Sequence, residues 1–146
     1  MSDRVFLDTN IIIYLYSDDE DDKRNIAYKF VNNTNCVTSI QVMNEVSNVW
    51  FKKYALEKSE IVKYLDEIES ISEEILLIQR KTINKALDIK ERYGYSFYDC
   101  LMLASAMEAN CNMILTEDMS DGQVIDGTLK IVNPFGVTYI GHTAWK

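Results

Sequence analysis

One proline and five glycines among 146 residues leave little material for a turn-rich or low-complexity architecture. Connections must be short and most of the chain regular. Cys36, Cys100 and Cys111 are the only cysteines, an odd number with no C-x-x-C pair. That excludes a disulfide framework or cysteine–zinc site and assigns them buried, small apolar roles in a reduced compartment. The single histidine, His142, lies in the polar stretch Gly141-His142-Thr143. Ser–His nucleophilic catalysis and histidine–metal chemistry therefore have no support. No apolar run approaches the roughly 20 residues of a membrane span, and Asp3 and Asp8 interrupt any signal-like start. A cytoplasmic protein with no membrane role is expected.

Positive charge is scarce as well. Fifteen basic residues face 23 acidic ones, for a net charge of −8. Such a surface argues against avid, nonspecific nucleic-acid binding, which relies on basic side chains. Lys52, Lys53, Arg80, Lys81, Lys85 and Arg92 are read as solubilising their helices.

What the chain does have is an ordinary apolar content of 47%, enough for one domain spanning 1–146. Short apolar runs at 5–7, 36–38, 75–78, 112–115 and 129–132 read as strands, with Ile75–Ile78 suited to a parallel strand buried on both faces. Helical periodicity fills 10–16, 23–31, 40–54, 58–71, 80–93 and 96–109. Ser39 and Ser96 serve as N-caps and Gly94 ends a helix. The run of acids at 18–22 fits the positive end of a helix dipole. Strands alternating with helices, and no hairpin signal, predict a three-layer α/β/α domain on a central parallel sheet of about five strands.

Against that frame, four acids stand at unusual positions. Asp8 closes Val5-Phe6-Leu7, Glu45 lies within two turns of a helix start, Asp99 follows Ser96-Phe97-Tyr98, and Asp118 follows Ile114-Leu115-Thr116-Glu117. Asp8 and Asp118 sit where open α/β sheets bind ligands, beyond the carboxyl ends of strands. Gathered together, such carboxylates repel one another unless a multivalent cation neutralises them. Oxygen ligands around a cation equip a site for phosphodiester hydrolysis.

Each acid also has a simpler reading. Asp8 can cap the helix that follows, and Ser96 with Asp99 matches a capping box. Glu45, between Val42 and Val49, can be a salt-bridged rim residue. Glu117, Asp118 and Asp121 can belong to an acidic turn, and spacing alone does not choose between Glu117 and Asp118.

In order, Phe6-Leu7-Asp8-Thr9-Asn10, Asn44-Glu45-Val46, Phe97-Tyr98-Asp99-Cys100-Leu101 and Leu115-Thr116-Glu117-Asp118 resemble the PIN-domain family, and within it the VapC-type toxin ribonucleases. The likeness covers nearly the whole chain. It implies a PIN-like fold and Mg2+- or Mn2+-dependent cleavage of single-stranded RNA. It further implies an antitoxin protein as partner and a homodimer. Carried onto this sequence, Asp8, Glu45, Asp99 and Asp118 become metal-binding and catalytic. Thr9, Asn10 and Thr116 become supporting residues, with Asp121 an outer or second-metal ligand. The chain departs from the family at Met119-Ser120-Asp121-Gly122-Gln123, where many toxins carry another acid and an aromatic, so the number of metals stays open. An aspartate-nucleophile phosphohydrolase would want a second Asp where Asn10 stands. The alternative outside enzymology is a catalytically inactive PIN-like module that binds RNA or protein.

Overall fold

The computed structural model describes residues 3–136, so His142 lies outside the described residues. The chain runs β1 (Arg4–Leu7), α1 (Thr9–Leu15), α2 (Asp21–Asn33), β2 (Asn35–Ser39), α3 (Ile40–Lys52), α4 (Lys58–Ile71) and β3 (Ser72–Leu76). It continues α5 (Arg80–Tyr93), α6 (Phe97–Glu108), β4 (Met113–Leu115), β5 (Val124–Ile125) and β6 (Leu129–Val132). The strands form one sheet in the order β3-β2-β1-β4-β6-β5. Five are parallel, as expected; the short β5 adds an antiparallel sixth.

Burial explains why these segments are strands. Val5, Phe6 and Leu7 of β1, and Ile114 and Leu115 of β4, are all buried, so both faces of the sheet centre are covered. Helical crossovers carry the chain from β1 through β2 to β3 with α1–α4, then back across the sheet through α5 and α6 to β4. The reversal leaves β1 and β4 as parallel neighbours at the centre of the sheet. Helix α6 is buried from Cys100 through Ala106 without a polar face. It is sandwiched between α5 and the strands β2, β4 and β6.

The cysteines are free and buried, in the small apolar roles expected. The acids Asp21 and Asp22 occupy the first turn of α2, and Gly94 ends α5 in the left-handed region at φ +80°. No described helix is long and apolar enough to cross a membrane.

Two expectations are corrected. The third strand is Ser72–Leu76 rather than 75–78; it is parallel, as expected, but lies at the sheet edge and is not buried on both faces. It pairs with β2 alone, Glu73 and Glu74 are exposed, and Leu77 beyond its end is 63% exposed. The strand starts directly from α4, and its pairing with β2 shifts register between Cys36 and Val37. A hairpin is also present where none was expected. Asp126 and Gly127, both at positive φ (50° and 72°), turn β5 back onto β6, the backbone that Asp-Gly favours.

Ile114 is fully buried at the middle of β4, flanked by Phe6 and Ile131 on the neighbouring strands. Ile114→Ala is expected to cost about 2–5 kcal/mol of unfolding free energy. Urea denaturation should register this as a lower midpoint with an unchanged m-value.

Candidate active site

At the carboxyl edge of the sheet, β1 ends at Leu7, directly beside Leu115 at the end of β4. The Asp8 N–H donates to the Leu115 carbonyl at 3.1 Å, so the residue after β1 is held by the partner strand. Its side chain turns into the protein and is only 2% exposed. Both carboxylate oxygens are engaged. Oδ1 accepts the Thr9 N–H at 2.5 Å, and Oδ2 accepts the Thr116 hydroxyl at 2.6 Å. Asp8 thus caps α1, as the simpler reading held, while remaining at the centre of the acidic group.

The other acids are arranged around it from three further elements. Thr9 Oγ1 donates to Glu45 Oε1 at 2.6 Å, linking α1 to α3. Asn10 Nδ2 donates to Asp118 Oδ2 at 2.9 Å, and the Asp118 N–H reaches Thr116 Oγ1 at 3.1 Å. Asp99 sits in the first turn of α6, with its N–H on Ser96 Oγ at 3.2 Å. The capping reading of Asp99 therefore holds for its backbone.

Electrostatics couples the group. Burial is the main cause that pushes the Asp8 carboxyl up to about 7. Hydrogen bonds from Thr116 and Thr9 oppose the rise, and the charges of Asp118 and Asp99 add to it. Asp99 is raised by desolvation, lowered in part by the Ser96 hydroxyl, and raised again by Asp118 and Glu45. Asp118 is raised by desolvation and by Glu117. Such a cluster disfavours its own full ionisation. It also consists only of oxygen donors, the set that suits Mg2+ or Mn2+ rather than soft metals. As the side chains stand, no three acids among the described residues form a ready-made cation site. Their oxygens are instead parted among Thr9, Thr116, Asn10 and Gln41.

The neighbours Glu117 and Asp118 point to different partners. Glu117 accepts a short hydrogen bond from Tyr14 Oη and pairs with Lys23 Nζ at 3.2 Å. Lys23 in turn lies 4.6 Å from the Tyr14 ring centroid and 5.3 Å from that of Phe135. Asn10 and Tyr14, one turn apart on α1, thus fasten two successive acids of the loop after β4. Asp121 is drawn elsewhere, its Oδ1 accepting the Asn133 N–H at 2.9 Å in the loop after β6.

Sequence reasoning missed three residues here. Lys23 and Tyr14 carry no motif, and their pairing with Glu117 arises only from tertiary contact. Gln41 donates through Nε2 to Glu45 Oε2 at 3.0 Å and to the Tyr98 carbonyl at 3.1 Å. Its one sequence signal is the four-residue spacing to Glu45 on a helix.

An acid group at the point where a parallel α/β sheet reverses its strand order defines a class of site. Comparison with known proteins identifies the family: the PIN domain profile matches residues 5–120, and the chain belongs to that family. No curated protein matches in sequence. Among solved structures, a toxin–antitoxin complex from Klebsiella pneumoniae superposes with a TM-score of 0.68 at 22% identity, covering 91% of this chain and 99% of that one. VapBC2 from Rickettsia felis, bound to a fragment of its promoter DNA, gives 0.63 at 19% identity over 89% and 99%. VapC20 from Mycobacterium tuberculosis, a Sarcin-Ricin loop cleaving toxin, gives 0.62 at 16% over 75% and 86%. At these identities the likeness is one of fold.

Because Asp8 is raised in the folded state, the proton it holds there stabilises the fold at low pH. That contribution is complete below the unfolded carboxyl value of 3.8 and is lost as pH rises through about 7. In EDTA, Asp8→Asn should therefore be more stable relative to the parent at pH 8 than at pH 5. Thermal melts of the two proteins across that range check the sign.

Proposed function

We propose that this protein is a metal-dependent endoribonuclease acting on single-stranded RNA, the toxin of a toxin–antitoxin pair. One observation carries the reading. Acids from β1, α3, α6 and the loop after β4 interact electrostatically at one sheet edge, and three of them are held above their ordinary pKa. Membership of the PIN family, and likeness in fold to toxin–antitoxin structures, support it.

Asp8, Glu45, Asp99 and Asp118 would hold Mg2+ or Mn2+. Such an ion supplies charge neutralisation at the phosphate and a more acidic water. The chain's own groups do the positioning. Thr116 and the Thr9 amide fix Asp8, whose burial keeps bulk water from its carboxylate. Thr9 and Gln41 fix the two oxygens of Glu45, and Asn10 fixes Asp118. Asp99 is held at the start of α6 by Ser96, which takes its N–H and also meets its carboxyl, and from there it would turn toward a cation. Asp121 would serve as an outer support through the loop it braces. An antitoxin and a second copy of the chain are the proposed protein partners.

The test is cleavage of a mixed single-stranded RNA pool with Mn2+, Mg2+ or EDTA. Metal-dependent cleavage is expected, falling to background in Asp99→Asn, while Asp8→Asn should still bind RNA. A folded protein that binds RNA but neither binds metal nor cuts would overturn the enzyme and leave a binding module.

A further inference from the structure

Gln41 lies at the second position of α3 and is 8% exposed. Its two neighbours are both acceptors, the Glu45 carboxylate and the Tyr98 carbonyl, so only its NH2 group can face them. The amide oxygen is thereby turned to a buried position where no donor among the described residues meets it. A buried acceptor without a partner is costly. A methionine would fill the same volume without that cost, so packing alone does not account for an amide here.

The two hydrogen bonds do account for it. Glu45 has its Oε1 held by Thr9 and its Oε2 by Gln41, so the carboxylate is fixed at both ends. The same Nε2 grips the carbonyl of Tyr98, the residue before Asp99. One amide group therefore ties an acid on α3 to the start of α6, between helices that touch only lightly along their lengths. We propose that Gln41 is a positioning residue that sets the distance between Glu45 and Asp99 for a divalent cation, at the expense of its own unsatisfied oxygen. This rests on the metal-dependent reading given above.

The test uses the full chain with Gln41→Met, and Gln41→Leu should the first fail to fold. Mn2+ affinity is measured by calorimetry, and melting temperature is measured in EDTA. Mn2+ binding is expected to weaken by about 10–100-fold, the usual effect of losing a residue that orients a metal ligand. Melting in EDTA should change little, because loss of the unsatisfied oxygen offsets loss of the two hydrogen bonds. A structural tie would do the reverse: a lower melting temperature with Mn2+ affinity within twofold of the parent overturns the proposal. If the parent protein binds no Mn2+ and cleaves no RNA, the functional reading fails and this one with it. If the parent does both and Gln41→Met binds Mn2+ equally well, only the positioning role fails.

Discussion

Burial of a single carboxylate at the junction of β1 and β4 organises this protein. Asp8 is pinned through its backbone to Leu115 and through its side chain to Thr116, so the two central strands share one polar anchor at their ends. The anchor is unfavourable in isolation, since a carboxylate there loses its water. It persists because the apolar strands on either side are fully buried and leave the chain no other path. Everything else at the site is measured from Asp8. Thr9 reaches Glu45, Asn10 reaches Asp118, and Thr116 braces the loop that carries Asp118.

The resulting pattern is one of acids separated by neutral donors. Hydroxyls and amides stand between carboxylates that would otherwise meet, and they keep the charges apart. The same donors give each acid a defined direction. A multivalent cation brought among carboxylates relieves the repulsion between them, which is the physical basis of the metal-dependent reading proposed above.

How much of this the sequence discloses depends on the range of the interaction. Asp8 is legible because a charge that ends an apolar run is a local signal, and α5 and β6 begin and end where periodicity puts them. The site's architecture is less so. Glu117 and Asp118 are adjacent, and only the positions of Asn10, Tyr14 and Lys23 decide which acid faces where. Gln41 is invisible for the same reason, since its second partner lies 57 residues away. The edge position of β3 escaped because an apolar run reports burial, not the number of neighbouring strands. The β5–β6 turn was written plainly as Asp126-Gly127, but a two-residue strand is too short to display alternation.

The two ends of the sheet differ from its centre in what they offer another chain. At one end β3 presents Glu73 and Glu74, both paired to Arg4, beside a register shift in its partner strand. At the other, β5 offers only two residues before the chain turns away. Free sheet edges template intermolecular strand addition, and charge, irregularity and brevity each suppress it. Both edges of the described sheet therefore carry features that disfavour pairing with another chain's strand.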